Sequence, residues 1–78
     1  MSQGDSVPGA VIKIIEVVGS SPTSFSDAVR AAVAGASRSV RGIRGVEVMT
    51  STADVDDNGE ISLYKVSCKI AFLVDLSS

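Results

Sequence analysis

Asp54-Val55-Asp56-Asp57-Asn58-Gly59-Glu60 is the densest run of oxygen donors in this 78-residue chain. It repeats the D-x-D-x-N-G opening of an EF-hand loop, and hard cations such as Ca²⁺ take about six to eight such ligands. The twelfth position of that loop needs a bidentate Glu, and here it is Lys65. A true EF-hand is therefore excluded. Asp54, Asp56, Asp57, Asn58 and Glu60 stay candidate metal ligands, for a weak Ca²⁺ site completed by water or a neighbouring subunit. A solvated acidic turn fits the same residues.

Other chemistry is scarce. The chain has no His, which removes a histidine base, a triad and imidazole metal ligation. Cys68 falls on an unbroken apolar strand face with no base at hand, as a small buried hydrophobe does. Gly19-Ser20-Ser21-Pro22-Thr23-Ser24 lacks the closing Gly-Lys of a phosphate loop and reads as a strand-to-helix turn. Glu16 and Glu47 stand singly. Lys65 and Lys69 share a strand face and suit an anion or a cross-strand partner, Glu47 being the natural one. No catalytic constellation emerges, so no enzyme is expected.

The elements that position these residues follow from period and punctuation. Ala10–Val18 (AVIKIIEVV) is β-branched and nearly continuous, the signature of a strand covered on both faces. Ser24 suits a helix N-cap with Asp27 three residues on. Phe25, Ala28, Val29, Ala32, Val33, Ala36 and Val40 then repeat at helical spacing. Arg38 and Arg41 suit a last helical turn, with Gly42 as its C-cap. Strands are expected at Gly45–Val55 and Ile61–Val74, joined by Asp56-Asp57-Asn58-Gly59, in which Asn-Gly is a strong hairpin signal. Along the last strand Tyr64, Val66, Cys68, Ile70, Phe72 and Val74 line one face. The other face carries Leu63, Lys65, Ser67, Lys69, Ala71 and Leu73.

This is an α+β chain of order β-α-β-β. A right-handed crossover makes the first two strands parallel, which puts the third in the centre of an antiparallel sheet of order 1-3-2. One helix covers one face; the half-apolar other face is expected to meet another subunit. Residues 1–9 read as a flexible leader and 10–78 as one domain. With one Cys, no Trp and one Tyr, a chain this small needs a staple other than a disulfide, and oligomerisation supplies one. Net charge is −2, with no basic run of nucleic-acid density and no apolar stretch long enough for a bilayer. The expected setting is cytoplasmic, with no nucleic-acid or membrane partner.

Residues 11–25 (VIKIIEVVGSSPTSF), the Ala-rich helix, IRGVEV at 43–48 and YKVSCKIAF at 64–72 together resemble the dodecins over about residues 11–75. The resemblance implies a hollow homododecamer of cubic symmetry, each subunit a sheet partly wrapped around its helix. Dodecins bind flavin in stacked pairs between subunits and act as storage or buffer proteins without turnover. Their flavin-stacking Trp, in a W-x-E-V context, is replaced here by Gly45, and their flavin-contacting Gln by Lys65. A Trp-less branch, the calcium dodecins, is similar in its G-x-S-P-T-S turn, Ile43-Arg44 and the basic residue after Tyr64. The expected function is calcium binding in a dodecin-like small-ligand storage protein. A flavin (riboflavin or FMN) buffer is the alternative, and a structural shell without a specific ligand the second.

Overall fold

A computed structural model describes residues 10–75. It has four elements: β1 (Ala10–Ser21), α1 (Phe25–Ser37), β2 (Ile43–Val55) and β3 (Ile61–Asp75). The sheet order is β1-β3-β2, with β3 antiparallel to both neighbours, as the hairpin and crossover dictate. The leader expected at 1–9 lies outside the described residues.

The alternation along β3 decides the core. Val66, Cys68 and Ile70 are at most 1% exposed beneath α1, where they meet Ala28, Ala32 and Ala36. Full burial of a Val or Ile side chain contributes about 1.5–3 kcal/mol. Ile15, Val17, Val29, Val33 and Ile43 pack partly against this centre.

Because the buried helix face is alanine, α1 comes very close to β1. Gly19 marks the contact: a Cβ there would stand 2.1 Å from the Ala28 carbonyl oxygen and 2.8 Å from Ala32 N. Only a residue without a side chain fits such an approach.

The helix start follows expectation. Ser24 is extended, and its hydroxyl accepts the Asp27 N–H at 3.0 Å. The Asp27 carboxylate does not reach back to close a capping box; it binds Arg30 one turn on at 3.0 Å.

Four boundaries differ from the sequence reading; β3 runs one residue further, to Asp75, and the other three have structural causes. First, β1 continues past Val18 to Ser21, because Gly19, Ser20 and Ser21 pair with Val66, Lys65 and Tyr64. Buried Ser21 then ends the strand: its Oγ accepts from Thr23 N at 2.9 Å and Ser24 N at 3.4 Å. Second, α1 stops at Ser37, so Arg38 is its C-cap and Arg41 lies outside it, with no basic residue in the last turn. Gly42, at φ +75°, turns the chain into β2, where its carbonyl accepts the Leu73 N–H at 2.9 Å. Third, β2 begins at Ile43, and its register shifts between Ile43 and Gly45, Val48 and Thr50, and Asp54 and Val55. Such bulges twist a strand and break its pairing repeat.

Candidate functional site

Two regions carry the residues singled out in the sequence: the tip of the β2–β3 hairpin and the sheet face opposite α1.

At the tip, Asp56 N–H donates to Glu60 O at 2.8 Å and Gly59 N–H to Asp56 O at 3.0 Å. This is a three-residue hairpin loop with Gly59 left-handed at φ +80°. Asn58, which a two-residue type I′ turn would hold at positive φ, stays at negative φ. One oxygen of Asp56 holds the loop, accepting Asn58 N–H at 2.9 Å and Glu60 N–H at 3.0 Å. The Asp54 carboxylate lies farther back on β2 and pairs with Lys65 Nζ at 3.0 Å.

The five expected donors are therefore not gathered. Among the described residues, no three carboxylates lie close enough to share a metal ion. The donor chemistry suits a hard cation, since every candidate offers oxygen. The single chain nevertheless leaves only Asp57, Asn58, Glu60 and the second Asp56 oxygen uncommitted within the loop. Six or more ligands require water or another copy as well.

On the sheet face away from α1, β3 contributes Leu63, Lys65, Ser67, Lys69, Ala71 and Leu73. Their cross-strand neighbours set the electrostatics. Glu16 of β1 and Glu47 of β2 both stand opposite Lys69, giving a carboxylate–ammonium–carboxylate row across the sheet. The sequence offered Glu47 as partner to either lysine; the register gives it Lys69. Lys65 instead takes Asp54, diagonally across the hairpin. With Lys65 39% and Asp54 51% exposed, that ion pair contributes about 0–1 kcal/mol.

An open cleft of about 550 Å³ lies on this face, bordered by Glu16, Val18, Met49, Thr50, Ser67 and Lys69. Thr50 follows the Val48/Thr50 bulge and pairs with Ser67, so two hydroxyls flank the charged row. Gly45 lies farther along the same face, opposite Ala71. A Cβ at Gly45 would meet no heavy atom within 4 Å among the described residues, so the space beside this position is open.

Cys68 is buried against α1, and that burial raises its thiol pKa above the ordinary value, which disfavours the thiolate a nucleophile needs. The partners of two residues named in the sequence were missed there. Glu16 stands opposite Lys69, a contact visible only once β1 is registered on β3. Asp54 proves to be the partner of Lys65, which a count outward from the Asn58-Gly59 turn would have suggested.

The chain thus presents a three-stranded sheet under one helix, with a small core and an open cleft bordered by charged, hydroxyl and apolar side chains. The dodecin family model matches residues 11–75, and the chain belongs to the dodecin family. The calcium dodecin of Mycobacterium tuberculosis is 36% identical over 63 residues, 81% of this chain and 87% of that one. A crystal structure of calcium dodecin from the same organism, a calcium-chelating antigen with a novel calcium-binding site, superposes with a TM-score of 0.73 at 35% identity. It covers 87% of this chain and 96% of its own. The dodecin of Streptomyces coelicolor gives a TM-score of 0.83 at 31% identity, covering 91% and 100%.

Proposed function

We propose that the protein is a non-enzymatic storage or buffering dodecin that assembles as a hollow homododecamer in the cytoplasm and binds Ca²⁺ rather than flavin. The observation that carries this reading is the state of the two flavin positions. Gly45 offers no ring to stack on, and the chain holds no Trp. Lys65 offers an ammonium, a donor only, where the flavin-binding members present an amide that both donates and accepts. That ammonium is also committed to Asp54.

Asp56, Asp57, Asn58 and Glu60 are the residues that would hold the cation. Asp54 would join them once released from Lys65, and water or a second copy would complete the shell. Bound Ca²⁺ would supply charge neutralisation at an acidic tip and no chemistry of its own. The similarity to calcium dodecin supports the choice of ion, and the all-oxygen donor set agrees with it.

Native mass spectrometry of the purified protein, with and without added Ca²⁺ and riboflavin, tests this. A twelve-subunit mass that gains calcium and no flavin is expected. Paired flavins on that mass would overturn the ligand assignment, and a monomer or dimer would overturn the assembly. A twelve-subunit mass that takes up neither would leave a shell without a specific ligand.

A further inference from the structure

We propose that Asn58 is a site of spontaneous deamidation, so that the hairpin tip acquires a further carboxylate as the protein ages. Asn58 is the chain's single asparagine, and glycine follows it. Both residues are exposed at the loop apex, and no heavy atom lies within 4 Å of the place a Gly59 Cβ would occupy. The space around Gly59 is open beyond its chain neighbours. Among the described residues, the Asn58 side-chain amide makes no hydrogen bond to hold it away; only its backbone N–H is bonded.

The reaction needs water and a base from solvent. The Gly59 backbone nitrogen gives up its proton and attacks Asn58 Cγ. The new C–N bond closes a five-membered imide as the Cγ–Nδ2 bond breaks and ammonia leaves. One water then opens the imide at either carbonyl, leaving an aspartyl or an isoaspartyl residue at position 58.

One contact opposes the reaction. Gly59 N–H donates to the Asp56 carbonyl at 3.0 Å, so the loop must open before the nitrogen is free. The bonds that hold the loop lie within Asp56–Glu60, at an exposed tip, where local opening requires far less than global unfolding. Deamidation is thus slower than in the unfolded chain yet independent of unfolding. Each event adds one negative charge beside Asp56, Asp57 and Glu60. The isoaspartyl product also inserts a methylene into a three-residue loop that has no slack.

The test is peptide mapping by mass spectrometry of the intact assembly, held at neutral and mildly alkaline pH beside the same chain in denaturant. Expected is a gain of one mass unit at position 58 in the native sample, faster at higher pH, with aspartyl and isoaspartyl forms that separate by chromatography. Asn58→Gln should abolish it. A native sample unreacted when the denatured one is fully converted would overturn the proposal. A second arm rests on the calcium reading: Asn58→Asp, which carries the product's charge, should bind Ca²⁺ several-fold more tightly. If deamidation occurs but that variant binds no calcium, the calcium reading fails and the modification site stands.

Discussion

Replacing Gly45 with Trp and Lys65 with Gln should turn this chain into a flavin binder. At Gly45 the backbone φ is not positive and the nearest heavy atoms lie beyond 4 Å of a built Cβ. Its cross-strand neighbour is the small Ala71, so a larger side chain can leave the backbone there without a clash at its Cβ. A glycine inside a strand is locally unfavourable, and an aromatic residue there favours the strand by up to about 1 kcal/mol. The substitution should therefore not lower the melting temperature. Aromatic stacking contributes about 1–3 kcal/mol per ring, which corresponds to roughly 5- to 150-fold in Kd. Lys65→Gln loses a half-exposed ion pair of about 0–1 kcal/mol and restores an amide that can donate and accept. Riboflavin titration, followed by quenching of its fluorescence, should rank wild type weakest, Lys65→Gln next, Gly45→Trp higher and the double variant highest. Native mass spectrometry should accompany each titration. Four proteins of unchanged assembled mass and equal flavin affinity would refute the assignment of Gly45 as the stacking position.

Gly19→Ala should be the most damaging small substitution, because its Cβ would stand 2.1 Å from a carbonyl oxygen of the helix backbone. Overpacking of this kind costs about 1–3 kcal/mol or more. A melting temperature roughly 4–24 °C lower is expected, and an unchanged one would refute the close packing. Ser21→Ala strips the acceptor from two N–H groups at a 93% buried site and should cost about 1–3 kcal/mol, with Ser21→Thr recovering part of it in thermal melts. For Cys68, burial raises the folded-state thiol pKa, so its contribution is fully present below the unfolded pKa of about 8.5. As pH climbs past that value only the unfolded chain ionises, and stability falls until the folded pKa is reached. Melts from neutral pH to about pH 10 should show this decline flattened in Cys68→Ala, and a native thiol that reacts with a disulfide reagent at pH 7 without unfolding would contradict the burial.

The elements were legible where one face alone decides the pattern. The strict alternation of Tyr64–Val74 gave β3 and its buried side, and the alanine and valine period gave α1. Boundaries were not, because tertiary contacts set them. Gly19 and Ser20 look like a turn, yet β3 supplies their pairing partners and α1 rests on Gly19. Gly42 looks like a helix cap, yet its left-handed backbone serves the entry into β2. At the site, composition identified the acidic tip, and the resemblance to the dodecins singled out Gly45 and Lys65. Composition did not by itself reveal that Asp54 answers Lys65, because that diagonal pair depends on the hairpin register, which sets Asp54 opposite Leu63 and Thr52 opposite Lys65.

The distribution of apolar surface then says what the unit of stability is. The buried centre is three alanines, a valine, a cysteine and an isoleucine, in a chain of extents 55 × 26 × 14 Å. Against this, Ile12, Ile14 and Val18 stand 54%, 53% and 68% exposed on the face away from α1. Val46 and Val48 are 41% and 44% exposed on the helix side of β2, which α1 scarcely reaches. Burial contributes about 25 cal/mol per Å² of apolar surface, so a chain that leaves these residues in water forgoes much of its available stabilisation. Covering them with further copies would recover it, and stability would then be a property of the assembly. Melting temperature should then rise with protein concentration. A chain that melts at one temperature over a hundredfold dilution, in the state of a monomer, would show that this small core suffices alone.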